Sequence, residues 1–235
     1  TFYKNTNDVN SLAELVEGRY PKMFVYPEAT TVEFDGTPIC FLPWICPDNY
    51  AHTMEHIKST KAQVAMGHLE INGFEMHAGH YAEGGYDKQF LHKCYTVVSG
   101  HFHKISDDGQ VYYLGNTYQM TWSDDGCPKG FHIFDTSTRE LERIINPYTI
   151  FQKVYYDETT KDYTQFDVSE LKNKFVKIIV VNKKDFYAFD RFIDRVLGES
   201  GAHEVKIVED FSELDAENVD DTIVQNAEYT MTLLE

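Results

Sequence analysis

The residues with the clearest chemical potential are histidines that follow glycines at the ends of apolar runs. Residues 95–99 (YTVVS) lead directly into Gly100-His101-Phe102-His103. Two histidines one residue apart at a strand end can turn toward a common point if the backbone leaves the strand there. Gly100, having no Cβ, permits that departure. Imidazole nitrogens suit manganese, iron or zinc. The other reading of the same four residues is a plain alternating strand with one histidine buried and one exposed. Gly67-His68 repeats the pattern after residues 63–67 (QVAMG). We therefore expect His68, His101 and His103 to converge as metal ligands, against the alternative of a coincidental Gly-His.

Other candidates carry less. His52-Thr53-Met54-Glu55-His56 fits an inverted zinc-peptidase pattern on a helix, where i and i+4 side chains share a face. No third ligand stands at an evident spacing, so a solvated helical face is expected. His77 and His80 fall in a glycine-rich stretch, 73–86, that reads as a loop. Asn116 and Thr117, with Gly115, follow the apolar run 110–114 and could present backbone N–H groups to a phosphate, with a plain turn as the alternative. Walker, GxSxG and GxGxxG motifs are absent. Cys40, Cys46, Cys94 and Cys127 lack CxxC spacing and read as buried thiols of a reducing compartment.

The elements that must hold these groups alternate between strand and helix. Residues 11–18 read as a short helix and 23–26 as a short strand. Residues 31–34 and 38–44 flank Asp35-Gly36, a type I′ hairpin signal. A surface helix over 48–60 precedes the run ending at Gly67. Residues 87–94 suggest a helical turn, and further strands are expected at 95–99, 110–114, 130–134, 140–145 and 151–156. Beyond an acidic stretch at 157–163, residues 175–181 (FVKIIVV), 184–197 and 204–208 form a β-α-β unit. Its helix repeats Phe186, Phe189, Ile193, Val196 and Leu197 at 3–4-residue spacing. The sheet is expected to keep one polar face. Strands alternating with helices, with ligands at strand ends, argue for a layered α/β domain.

The 235 residues, 42% hydrophobic and 14% aromatic, suffice for a real core. No run approaches the roughly 18 apolar residues of a membrane span, so no membrane association is expected. Thirty-eight acids against 21 bases leave a net charge of −17. That composition argues against generic nucleic-acid binding, which needs clustered cations, although metal ions can supply local positive charge at a phosphate. Thr1 opens in mid-phrase, consistent with a processed or truncated start.

With Gly67-His68 and Gly100-His101-Phe102-His103, the chain resembles calcineurin-like metallophosphoesterases. More closely it is similar to the SbcD-type recombination and double-strand-break repair nucleases, in the branch of T-even-like phages. The supporting phrases include Phe41-Leu42-Pro43-Trp44, the run from Gly67 to Phe74, Ser99 to His103, and Gly130 to Asp135. The resemblance spans about 1–156 and fades beyond. It implies an α/β fold: the C-terminal half of a layered α-β-β-α nuclease domain at 1–156, a small β-α-β cap at 157–208, and an acidic linker with the start of a partner-docking segment at 209–235.

The resemblance also implies two divalent ions, Mn²⁺ foremost with Mg²⁺ or Fe as alternatives. His68 and His101 would hold one ion and His103 the other. The remaining ligands and the catalytic histidine are expected in motifs upstream of Thr1, so the isolated chain is expected to be inactive. Expected partners are DNA, an SbcC-like ATPase and a second copy of the chain, in the cytoplasm of a phage host. Lys174, Lys177, Lys183 and Lys184 on the cap are candidates for DNA-backbone contacts. Hydrolysis of small phosphoesters or phosphoproteins, and a non-catalytic interaction fragment, are the competing functional classes.

Overall fold

A computed structural model describes residues 5–77 and 79–209. Thr1-Phe2-Tyr3 and all but the first residue of the expected docking segment 209–235 lie outside the described residues. The chain divides into two units. The first runs to Asn116 and adds Gly130–Ile144; the second takes Thr117–Lys129 and the described residues from Ile145 onward.

The first unit begins with helix α1, Ser11–Val16. Asn10 caps it, its Oδ1 accepting the N–H groups of Leu12 and Ala13 at 3.1 and 3.2 Å. The strand expected at 23–26 is absent; that segment is irregular. Strands β1 (Thr30–Phe34) and β2 (Thr37–Leu42) form the expected hairpin, and Asp35 and Gly36 both take positive φ, 48° and 80°. Helix α2 (Pro47–Ser59) turns Asn49, Thr53 and Ile57 inward. Then come β3 (Val64–Gly67), the short hairpin β4 (Glu75–His77) and β5 (His80–Tyr81), and β6 (Thr96–Ser99). Next are β7 (Ser106–Asp107) and β8 (Val111–Tyr113), followed by the pair β9 (Gly130–Phe134) and β10 (Leu141–Ile145).

The main sheet has the order β1-β2-β3-β6-β8-β7. Its centre, β2-β3-β6-β8, is parallel, and the edge strands β1 and β7 run antiparallel. Central parallel strands are covered on both faces and so read as unbroken apolar runs. That is why VAM and TVV stand where the sequence shows no alternation. Val64, Ala65, Val97 and Val111 are each at most 1% exposed.

The second unit is a three-stranded parallel sheet, β11 (Phe151–Asp157), β12 (Phe175–Asn182) and β13 (Glu204–Val208), in that order, crossed by helix α3 (Phe186–Glu199). The expected β-α-β unit is present but carries a third strand. β11 pairs with β12 along seven residues, and 151–156 fall in the second unit. Asp185 caps α3 through N–H bonds from Tyr187 and Ala188 at 2.9 and 3.1 Å. The buried face of α3 is Phe189, Phe192, Ile193 and Val196. Phe186 and Leu197, expected inside, are exposed, because a three-stranded sheet covers only the middle turns. As the middle strand, β12 is buried from Val176 to Val180 and shows no polar face, whereas Glu204 and Lys206 of the edge strand β13 are exposed. No described helix is long and apolar enough to cross a membrane.

Candidate metal centre

The parallel register aligns one row of residues at the C-terminal edge of the main sheet: Leu42, Gly67, Ser99 and Tyr113 pair in sequence across β2, β3, β6 and β8. The chemistry begins one step beyond that row, where open parallel sheets gather ligands. Trp44, His68, His101 and Asn116 each follow the end of one of these four strands.

Two glycines make the arrangement possible by their size. A Cβ on Gly67 would stand 2.6 Å from the Leu42 carbonyl oxygen. A Cβ on Gly100 would stand 2.9 Å from Nδ1 of His68, so the imidazole lies directly over the Gly100 backbone. Gly100 is therefore not the pivot expected from sequence. Its N–H still bonds the Gly67 carbonyl at 3.1 Å, extending the ladder by one residue. The turn falls on His101, which adopts φ 85°. A side chain in that region costs about 1–3 kcal/mol and persists only where its surroundings enforce it.

The turn brings His101 against His68. The ring centroids lie 5.2 Å apart at an interplanar angle of 76°. The Trp44 indole packs against both, at 5.1 Å from His101 and 6.2 Å from His68. Phe102, 4% exposed, plugs into the core 4.4 Å from the Tyr113 ring and anchors the middle of the His-Phe-His run.

Two buried hydroxyls fix the segment after His68. Ser99 Oγ accepts the Leu69 N–H at 2.9 Å and reaches the Gly100 carbonyl at 3.0 Å. Tyr113 donates to the Leu69 carbonyl and accepts the Ile71 N–H, both at 2.9 Å. Burial holds the Tyr113 phenol protonated far above its ordinary range, so it stays a donor. The sequence reading missed Ser99, Tyr113 and Trp44 as members of the site. Their only signal is position, two at the ends of apolar runs and one just past a run.

His103 is placed differently. Its carbonyl accepts the Asn116 N–H at 3.3 Å, and Gly115, at φ 67°, lets the two segments approach. Among the described residues no group of three or more His, Cys, Asp or Glu side chains could hold a metal ion. The structure thus brings His68 and His101 together and does not gather His103 into a three-ligand cluster with them. Nδ2 of Asn116 is buried without a hydrogen-bond partner among the described residues, an uncompensated donor beyond the end of β8. Thr117 is exposed, and its carbonyl accepts from Asn146 Nδ2 at 3.0 Å.

The remaining candidates resolve into structural parts. His56 Nε2 lies 2.9 Å from Thr31 Oγ1, tying α2 to β1, while His52 and Glu55 are exposed. His77 and His80 are register partners in the β4–β5 hairpin, where a loop was expected. Burial pushes the Cys40 thiol up to about 11 and raises that of Cys94, which leaves both unreactive.

Of the four cap lysines, Lys177 is 4% exposed with its ammonium 4.3 Å from the Trp122 ring centroid, so it presents no charge to a nucleic acid. Lys174 bonds Gln152 at 2.6 Å, Lys183 pairs with Glu209 at 2.8 Å, and Lys184 is exposed.

No protein-family model matches the chain. Among curated proteins it matches Exonuclease subunit 1 of Enterobacteria phage T4, with 35% identity over 207 residues. The chain is similar to a phage exonuclease subunit. The match takes in 88% of this chain and 58% of that relative's length.

Proposed function

We propose that this chain carries part of the active centre of a metal-dependent nuclease, which hydrolyses phosphodiester bonds at DNA ends in recombination and repair. The observation that carries the reading is the His68–His101 pair: two imidazoles 5.2 Å apart, one lying over a glycine and the other on a strained backbone. Strain at a strand terminus that re-aims a nitrogen donor is the kind of local cost retained for function. Similarity to an exonuclease subunit of a phage supports the same class of chemistry.

In this reading the first unit is the C-terminal half of a layered α-β-β-α domain. His68 and His101 would hold one divalent ion and His103 a second, Mn²⁺ foremost, with further donors from outside these residues. Such ions, when bound, polarise a phosphate and acidify a water. The chain's own residues have separate tasks. Ser99 and Tyr113 hold the His68 segment, and Trp44 limits the swing of both imidazoles. Asn116 offers its buried amide to a phosphate oxygen, Lys184 offers an exposed cation to the DNA backbone, and an SbcC-like ATPase and a second copy complete the assembly.

The test is Mn²⁺ binding to the 235-residue chain, followed by paramagnetic broadening of histidine ring signals. We expect weak binding that broadens His68 and His101, and loss of about 10–100-fold in affinity on Gly100→Ala, since supports of a ligand matter on that scale. Unchanged affinity in both His68→Ala and His101→Ala would refute the assignment.

A further inference from the structure

The second unit contains a cavity of about 600 Å³ between the 158–164 segment and one face of α3. That volume lies in the range of sites for small organic ligands, about 300–1,000 Å³. Tyr156, Tyr163 and Phe192 form an aromatic wall, with Tyr156 and Tyr163 centroids 4.4 Å apart and Phe192 at 5.3 and 5.2 Å from them.

Three cationic side chains line the same cavity: Lys161, Arg191 and Arg195. Arg195 is committed to the fold, its guanidinium donating to the carbonyls of Tyr163, Thr164 and Phe166 at 3.3, 3.0 and 2.7 Å. Lys161 Nζ lies 4.7 Å from the Phe166 ring centroid, without a carboxylate partner. Arg191 is exposed and makes no hydrogen bond or ion pair among the described residues.

The two carboxylates that line the cavity already have bonds elsewhere. Glu158 accepts from the Tyr156 hydroxyl at 2.6 Å and from the N–H groups of Lys184 and Asp185 at 2.8 and 2.9 Å. Asp162 accepts the Thr164 N–H at 2.8 Å. In a chain with 38 acids and 21 bases, a cavity lined by three cations against two carboxylates is a local reversal of sign.

We propose that this cavity binds a nucleotide, its phosphate held by Arg191 and Lys161 and its flat base lodged toward the aromatic wall. A guanidinium fork and an ammonium together suit a phosphate, which accepts several charge-assisted hydrogen bonds. The inference rests on the second unit alone and does not depend on the metal centre. The same chemistry is offered by a free mononucleotide and by the phosphorylated end of a strand, and the experiment separates them.

Calorimetric titration of the 235-residue chain with dAMP, with deoxyadenosine and with a 5′-phosphorylated oligodeoxyadenylate reads the site. Binding near 0.1–1 mM, an order-of-magnitude expectation for so small a contact, should fall about tenfold or more in Lys161→Ala/Arg191→Ala. Arg191→Lys, which keeps the charge, should retain most of it, and both positions are exposed, so the fold should be unaffected. Binding of dAMP identifies the free nucleotide as a ligand; binding of the oligonucleotide alone identifies the strand end. The proposal fails if neither binds up to about 10 mM, if deoxyadenosine binds as well as dAMP, or if the double variant binds as well as the parent chain.

Discussion

The C-terminal edge of the main sheet and the three-stranded unit around α3 are built by opposite rules. In the second, local preference and tertiary packing agree. Aspartates cap the turns and the helix, four apolar side chains of α3 face the sheet, and β12 is apolar where it is covered. At the sheet edge they disagree. His101 sits at φ 85°, an amide nitrogen of Asn116 is buried without a partner among the described residues, and a glycine gives up its side-chain space to an imidazole. A fold tolerates such costs where the geometry itself is what is needed. The contrast singles out the sheet edge as the candidate site and the α3 unit as a scaffold with its own cavity.

The largest expected effect belongs to the scaffold. Phe192, 2% exposed, touches the rings of Tyr156, Tyr163 and Phe166. Phe192→Ala should cost about 3–5 kcal/mol in denaturant unfolding, while Mn²⁺ binding at His68 and His101 is unchanged. Loss of both together would show that the two regions are not separable in this way.

How much of each region could be read beforehand follows the same division. The strand-glycine-histidine pattern located His68 and His101 because buried parallel strands leave a plain apolar signature and glycine marks where backbones approach. The pivot was misplaced, since the glycine before a histidine looks like the hinge, and only the His68 ring occupying that space reveals otherwise. Ser99 and Tyr113 were invisible as supports because their partners are backbone groups 30 to 44 residues distant. In the second unit the α3 amphipathic stripe was legible but too long at both ends. Lys177 looked exposed by alternation because nothing local announces Trp122. The membership of 151–157 depends on a strand pairing made 24 residues later, which no local pattern encodes.

A middle-sized effect tests whether the strain is retained for chemistry. His101→Gly removes the side chain that makes φ 85° costly. It should raise the stability of the chain by about 1 kcal/mol, the relieved strain being partly offset by the entropy glycine adds to the unfolded state. Metal binding at the pair should be lost in the same variant. A destabilised His101→Gly would mean that ring packing against Trp44 and His68, rather than a ligand's aim, accounts for the conformation.

The smallest effect separates the two regions by pH. In the first unit, burial and the nearby Arg143 hold His132 below its ordinary value of 6.5, and its Nδ1 is buried without a partner among the described residues. In the second, Asp157, Asp162 and Asp167 are held below 3.8 by hydroxyl and N–H bonds at their turns. Every one of these groups binds its proton less readily folded than unfolded. Each therefore contributes stability that is complete above its unfolded value and is lost as pH falls toward the folded one. The windows differ: His132 begins to act just below pH 6.5, the aspartates only below about pH 4. Thermal unfolding followed between pH 7 and 5 should show a small loss of stability assignable to the first unit, absent in His132→Gln, with the α3 unit unaffected until pH 4. A loss between pH 7 and 5 that persists in His132→Gln would place the sensitive group elsewhere, and the histidines of the sheet edge would be the next to substitute.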